Sequence, residues 1–282
     1  MGSVTFASEL WSIPSDVSVA WVNGYPLSCR QRGQGETVLL VHGAATDYRI
    51  WKGVIPSLSK RHHVMAVSLR HYYPEPWDGS GEPISVEQDA LDLVALIRSL
   101  DAPPVHLVGH SRGGLVVLQA AIKAPELLKS VVLLDGVIPL DSSPPDPRTT
   151  EYVGQVVASV RTALLAGNKA EAGKAFVEGF NRPGAWEAGS DEARQMIKDN
   201  IVTVAHETET GRLIASSALA ASVMPLLCVT GEKSPRVFTA AYDRVADLRE
   251  VERATVPAAG HVMHVDNPQF VASLLADFVA RA

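Results

Sequence analysis

The stretch VHLVGHSRGGLVVLQAAIK, residues 105–123, decides the fold because an apolar strand pattern passes directly into an apolar helix pattern. A buried strand is predicted over 105–109 and a helix from about Arg112 to Lys123. Between them, Gly109-His110-Ser111-Arg112-Gly113 fits G-x-S-x-G, the pattern of a nucleophile on a sharp strand-to-helix turn. Small residues on either side of the serine avoid clashes at such a turn. The helix N-terminus directs free N–H groups toward developing negative charge.

Strand and helix patterns alternate outward from this stretch. Further strands are predicted at 37–42, 62–69, 130–135, 225–231 and 249–256, and further helices at 48–59, 86–100, 236–247 and 268–281. Strands that are separated by helices indicate parallel pairing through right-handed crossovers. Two earlier strand patterns, 17–22 and 25–31, are joined by Asn23-Gly24, a dipeptide typical of a two-residue hairpin turn.

One segment departs from the alternation. Residues 139–148, PLDSSPPDPR, contain four prolines and are predicted to form a linker. After the linker only helical patterns follow, at 150–166, 168–180, 190–205 and 208–220. We therefore expect an α/β core formed by residues 1–138 and 222–282, with a helical insertion over residues 139–221 after the sixth strand.

Composition restricts the classes of partner. The chain has 282 residues, 46% of them hydrophobic and 20% charged, with a formal net charge of −6. No block of like charges indicates nucleic acid or a membrane surface as a partner, and no apolar run is long enough to span a bilayer. Residues 1–11 lack the basic and apolar regions of a secretory signal, so a cytoplasmic location is expected. Cys29 and Cys228 are expected to be small buried hydrophobic residues.

His261 is the preferred general base among the nine histidines. It follows Gly260 in the loop between the last strand and the last helix, where small residues precede it. An imidazole with a pKa near 6.5 can take the proton of a serine and return it to a leaving group. His42 is expected to bond to its own loop, and His110 to point away from the nucleophile. No histidine spacing indicates a metal site, so no metal or cofactor is expected.

The sequence resembles the α/β-hydrolase superfamily over nearly its full length. The resemblance rests on V-H-G (41–43), G-H-S-R-G-G (109–114), the helical insertion, and G-H-V-M-H-V-D-N-P (260–268). It implies a mostly parallel central sheet with helices on both faces. It also implies that residues 139–221 form a cap over the active site, and that the catalytic residues follow the order serine, acid, histidine.

The same resemblance implies an oxyanion hole made of two backbone N–H groups. One would belong to Ala44, just after Gly43, with Ala45 as the next candidate. The other would belong to Arg112, directly after the nucleophile. The side chain of Arg112 is expected to face solvent in the first turn of its helix.

The sequence departs from the family's pattern at the catalytic acid. Many members place it three residues past the glycine that ends strand seven, where this chain has Ser234 after Gly231. Asp135, at the end of the sixth strand, is the preferred acid because α/β active sites collect at that edge of the sheet. Glu232 is a second candidate, since its longer side chain could reach the base from the neighbouring loop.

Large aromatic and apolar residues near these motifs are candidates for binding a small-molecule substrate. They are Tyr48, Trp51, Tyr72, Trp77, Trp186, Val262 and Met263. Such a lining indicates a largely apolar, uncharged substrate. Packing beneath the cap is an alternative for Tyr72 and Trp77, and a place in the core is an alternative for Trp51.

The sequence thus predicts a serine hydrolase that cleaves an ester or lactone through an acyl-enzyme. Hydrolysis of a C–C bond or an amide remains open, as does cofactor-free dioxygenation or lyase chemistry on the same fold. Haloalkane and epoxide chemistry is disfavoured, because those relatives have aspartate at the position of Ser111. A ligand receptor that retains the fold is the non-enzymatic alternative, and a homodimer remains open.

Overall fold

A computed structural model describes residues 11–100, 104–143 and 146–282. The expectation that residues 1–11 form no secretory signal therefore concerns residues outside the described ranges, except for Trp11. The predicted linker, residues 139–148, is described apart from residues 144–145. Within the described ranges, no helix has the length and apolar character needed to cross a membrane.

Within the described residues, eight strands form one sheet in the order β1-β2-β4-β3-β5-β6-β7-β8. The strands are β1 Ser18–Val22, β2 Tyr25–Arg32, β3 Thr37–Val41, β4 His63–Val67, β5 Val105–His110, β6 Leu128–Leu134, β7 Leu226–Gly231 and β8 Glu252–Val256. Strand β2 pairs antiparallel with β1 and with β4, and the other neighbouring strands are parallel. The predicted α/β fold with a mostly parallel central sheet is confirmed.

Helices connect the strands and form the insertion. They are α1 Ile55–Leu58, α2 Val86–Ser99, α3 Arg112–Lys123, α4 Pro147–Leu165, α5 Lys169–Phe180, α6 Ala185–Ala188, α7 Asp191–Asn200, α8 Val202–Ala205, α9 Ser216–Ala221, α10 Arg236–Ala246, α11 Met263–Asp266 and α12 Pro268–Val279. Helices α4 to α9 occupy the chain between β6 and β7, the stretch predicted to be the cap (residues 139–221).

The predicted helix over 208–220 is wrong in its first half. Helix α9 covers only Ser216–Ala221, and the preceding residues run along the core. Thr208 N donates to Ile84 O at 2.8 Å, and Ile214 N donates to Pro139 O at 2.8 Å. These partners satisfy the backbone of the segment outside a helix, and Gly211 adopts a positive φ of 76° that interrupts helical geometry.

The sheet buries side chains on both faces because its central strands alternate between two hydrophobic clusters. In β3, Leu39 and Val41 belong to one cluster, together with residues of α2 and α3. Val38 and Leu40 belong to the other, together with residues of α12. Successive side chains of a strand point to opposite faces, so the continuous apolar runs seen in the sequence indicate a sheet covered on both sides.

Candidate active site

Ser111 occupies the turn between β5 and α3 in a conformation that non-glycine residues rarely adopt. Its φ is 52° and its ψ is −119°. Such a conformation costs about 1–3 kcal/mol and persists only where the surrounding structure holds it. The surroundings here are backbone groups at the exit of β6. Ser111 N donates to Leu134 O at 3.0 Å, and Val137 N donates to Ser111 O at 3.1 Å. The end of β6 therefore fixes the turn.

The glycines of the motif are required by close backbone packing. A Cβ atom on Gly109 would lie 2.4 Å from Gly113 O, and one on Gly113 would lie 2.3 Å from His42 O. Both distances are far below van der Waals contact. The start of α3 is thus packed directly against β5 and against the loop that follows β3, and any side chain at these two positions would force them apart.

His261 and Asp135 are joined by a hydrogen bond. Asp135 directly follows β6 and is fully buried, and its Oδ2 lies 3.1 Å from His261 Nδ1. A carboxylate only accepts, so Nδ1 carries the proton and Nε2 of a neutral ring is left free to receive one. Burial raises the pKa of Asp135, and the hydrogen bonds from His261 and Ser234 oppose that rise.

The second candidate acid, Glu232, is engaged elsewhere. It is exposed, and its Oε2 accepts a hydrogen bond from Ala258 N at 2.7 Å. Ser234, which stands at the position where many family members carry the acid, donates its hydroxyl to Asp135 Oδ2 at 2.5 Å. Of the two carboxylates considered from the sequence, Asp135 is the one that contacts the imidazole.

Two aromatic rings enclose the imidazole of His261. Phe238, in the first turn of α10, stacks on it with ring centroids 4.5 Å apart and planes 11° apart. The ring of His110 lies 4.7 Å away, and its Nε2 donates to His261 O at 2.9 Å. Sequence reasoning missed Phe238, for which the only signal was a large apolar residue shortly after strand seven. The contact between His110 and His261 was also not predicted from the sequence.

The loop after β3 passes beside Ser111. A Cβ atom on Gly43 would lie 3.1 Å from Ser111 Cβ, which brings the following Ala44 to the same region. The Ala44 amide makes no hydrogen bond to a described residue. Arg112 is the first residue of α3, so its amide has no acceptor within the helix. Both predicted oxyanion amides are therefore available near Ser111.

His42 holds this loop in place, as expected from the sequence. Its Nδ1 donates to Gly43 O at 2.8 Å, and its Nε2 accepts from Leu69 N at 3.0 Å. Full burial lowers the pKa of His42 to about 4. The ring is therefore neutral at pH 7 and acts as a fixed link between the loops after β3 and β4.

The expectation that the Arg112 side chain faces solvent is wrong. The residue is 6% exposed. Its Nη2 donates to Asp89 Oδ2 at 2.7 Å, and its Nε donates to Glu207 Oε1 at 2.6 Å. Two carboxylates offset the cost of taking a guanidinium out of water. Neither ion pair could be predicted from the sequence, because the two carboxylates lie 23 and 95 residues from Arg112 along the chain.

Three of the predicted substrate-binding residues are core residues instead. Tyr48, Trp51 and Met263 are at most 1% exposed and belong to the cluster packed against α12. No surface of these side chains is left for a ligand. The ring of Trp51 packs on the ring of His264, with centroids 4.5 Å apart.

The remaining candidates differ in their surroundings. Tyr72 and Trp77 are also buried: Tyr72 packs on His42 and Trp77 stacks on His71, so packing accounts for both. Trp186 belongs to α6 of the cap and lines a cavity of about 60 Å³ there. Val262, beside His261, is half-buried.

Comparison with known proteins identifies the family. The sequence profile of the alpha/beta hydrolase family matches residues 38–274. The 2-(acetamidomethylene)succinate hydrolase of Mesorhizobium japonicum is 25% identical over 269 residues, which make up 90% of this chain and 91% of that protein.

Solved structures show the same fold. A hydrolase from Pseudomonas aeruginosa matches with a TM-score of 0.77 at 18% identity, covering 94% of this chain and 98% of that one. Naproxen esterase from Bacillus subtilis matches with a TM-score of 0.70 at 18% identity, covering 96% of this chain and 93% of that one. Since the family profile spans most of the sequence, the chain is a hydrolase that belongs to the alpha/beta hydrolase family.

Proposed function

We propose that this hydrolase cleaves an ester or lactone bond of a small, largely apolar substrate through an acyl-enzyme on Ser111. His261 is the general base and Asp135 orients it. The observation that carries the proposal is the backbone link between the strained Ser111 turn and the end of β6, where Asp135 holds the imidazole of His261 at 3.1 Å. A serine on a strained turn and a base oriented by a carboxylate, both held at the end of β6, are the groups that nucleophilic catalysis requires.

In the proposed reaction, Ser111 Oγ adds to the carbonyl carbon while its proton passes to Nε2 of His261. Asp135 stabilises the resulting imidazolium. The amides of Ala44 and Arg112 donate to the oxyanion. The C–O bond then breaks as His261 returns the proton to the leaving alcohol. A water molecule, deprotonated by the same imidazole, attacks the acyl-enzyme, and the free acid and Ser111 are regenerated.

An apolar substrate is supported by the side chains between the loop after β3 and the cap. Ala45 packs in one hydrophobic cluster with cap residues Val160 and Ile197, and the partly buried Ala44 and Phe176 lie against that cluster. The charge on Arg112, the residue next to the nucleophile, is already paired. Apolar side chains beside the loop that carries Ala44 suit an uncharged acyl or alkoxy group.

Amide hydrolysis is the second candidate, because the relative from Mesorhizobium japonicum is named for a substrate with an acetamido group. The same residues would act, but His261 would have to protonate a nitrogen before it leaves. Rates with 4-nitrophenyl acetate and 4-nitroacetanilide distinguish the two activities, since the acyl group is the same and only the leaving atom differs.

The proposal is tested by labelling the protein with a fluorophosphonate and locating the adduct by mass spectrometry. We expect one adduct, on Ser111, and loss of both labelling and 4-nitrophenyl acetate turnover in Ser111→Ala. Labelling of another residue with Ser111 unmodified would overturn the assignment of the nucleophile.

A further inference from the structure

The guanidinium of Arg112 lies between two carboxylates that come from different parts of the fold. Asp89 belongs to α2 of the core, and Glu207 follows α8 of the cap. The side chains of Arg112, Asp89 and Glu207 are 7%, 2% and 18% exposed. This ion cluster is therefore largely shielded from water and begins one residue after the nucleophile.

Glu207 is held firmly in the cluster by its backbone. Residue 207 forms a parallel bridge with Ile84, next to Ser85, which caps the helix that carries Asp89. Further along the segment, Gln119 Nε2 of α3 donates to Gly211 O at 2.8 Å. The segment that carries Glu207 is thus paired with the residues just before α2 and hydrogen-bonded to α3, the two helices that carry Asp89 and Arg112.

The cluster has more negative than positive charge. Burial raises the pKa of Asp89 to about 6, against the opposing effect of Arg112, so Asp89 is ionised at pH 8. One guanidinium then faces two carboxylates, and the sum is −1. A substrate carboxylate that approached Arg112 would have to displace Glu207 and would also be repelled by Asp89.

We propose that Glu207 is a specificity-determining residue, which by pairing with Arg112 excludes carboxylate-bearing substrates and restricts the protein to uncharged ones. The inference rests on the proposed function, because it concerns the substrate of the same site. Removing the charge of Glu207 leaves the guanidinium balanced by Asp89 alone, so the cluster no longer has the net negative charge that repels a substrate carboxylate. The Nε–H group of Arg112, which donates to Glu207 in the wild type, is then bound less strongly.

The test compares two esters that differ only in one charge, 4-nitrophenyl valerate and mono-4-nitrophenyl glutarate, at pH 8 and low ionic strength. We expect the wild-type protein to prefer the valerate at least tenfold in kcat/KM. Glu207→Gln should reduce that preference about tenfold. This is the effect of removing the repulsion between two unit charges, the Glu207 and substrate carboxylates, at a separation of roughly 10 Å and an effective dielectric constant near 20. Glu209→Gln is the matched control, since Glu209 is exposed and pairs only with Arg212 among the described residues.

A double variant shows whether the effect acts through the guanidinium. Arg112→Met keeps the backbone amide but removes the guanidinium, so Glu207→Gln/Arg112→Met should turn over the glutarate less well than Glu207→Gln, which retains a guanidinium to attract it. Thermal unfolding establishes that each variant is folded.

The outcomes separate this inference from the proposed function. Equal wild-type turnover of the two esters, or an unchanged ratio in folded Glu207→Gln, would overturn the role of Glu207 and leave the hydrolysis of esters intact. If the wild-type protein turns over neither ester, the proposed function fails, and this inference fails with it.

Discussion

The hydroxyl of Ser234 lies 2.5 Å from Asp135 Oδ2, the same oxygen that accepts a hydrogen bond from His261 Nδ1 at 3.1 Å. Ser234 Oγ also accepts from Gly231 N at 3.0 Å, so its own proton is directed to the carboxylate. Ser234, three residues after β7, thus supports the carboxylate that follows the neighbouring strand β6.

Ser234→Ala should shift the pH dependence of the reaction. A hydrogen bond to a carboxylate favours its charged form, so its loss raises the pKa of Asp135. A protonated Asp135 carboxyl no longer holds the His261 ring as the carboxylate does, so we expect the acidic limb of the kcat/KM profile to move to higher pH. The kcat should fall about tenfold, as for the loss of a hydrogen bond to a charged group. Ser57→Ala, at a half-buried serine bonded to Gln269, is the control, and an unmoved acidic limb would contradict the role of Ser234.

Asp135→Asn should reduce kcat by about three to four orders of magnitude, the effect of the analogous change in a Ser-His-Asp triad. An amide at this position can offer its N–H group to Nδ1 and so stabilise the wrong tautomer of His261. Glu232→Gln should change kcat less than twofold, because Glu232 bonds to the backbone of Ala258 instead. Steady-state kinetics on one ester measures both variants, and the opposite ranking would identify Glu232 as the acid.

The sequence was sufficient to predict the order of strands and helices and the turn at Ser111, because these depend on local patterns. It could not predict the burial of Arg112, since the side chains of Asp89 and Glu207 reach it only after α2, α3 and the cap have packed together. The contact of Phe238 with His261 likewise depends on how α10 lies against the sheet. For Trp51 and Met263, proximity in sequence to the site residues suggested a pocket, but their side chains point into the core.

Gly113→Ala should destabilise the protein strongly. The added Cβ would lie 2.3 Å from His42 O and 2.6 Å from Val41 O, and backbone atoms cannot yield as a flexible side chain can. We expect a loss of at least about 3 kcal/mol in the free energy of unfolding, at the upper end of the range for single substitutions. Gly154→Ala is the matched control: Gly154 lies inside α4 with open space around it, so alanine should stabilise by up to about 1 kcal/mol. Denaturant unfolding measures both, and similar values would contradict the packing argument.

Phe238→Ala should lower kcat about tenfold with a smaller change in KM. The stacked ring restricts the plane of the His261 imidazole, and an imidazole that rotates spends less time in the orientation that the proposed mechanism requires. Phe238→Tyr retains an aromatic face and should keep most of the activity. Full kcat in the alanine variant would show that Asp135 and the His110 contact orient the base without the stacked ring.

His264→Phe should make the protein less sensitive to acid. His264 is fully buried, its ring nitrogens have no partner among the described residues, and burial lowers its pKa to about 3. The unfolded chain takes up a proton on this histidine near pH 6.5 and the folded protein does not, so stability is complete above that pH and is lost as the pH falls toward 3.

Each such histidine adds about 1.4 kcal/mol per pH unit to the slope of the unfolding free energy between pH 6 and pH 4. The slope for His264→Phe should therefore be smaller than that of the wild type by about this amount, whatever the change in absolute stability from fitting a larger ring against Trp51. His42, with its pKa lowered to about 4, continues to contribute in the variant. Denaturant unfolding at a series of pH values measures the two slopes, and identical slopes would show that His264 is protonated in the folded protein.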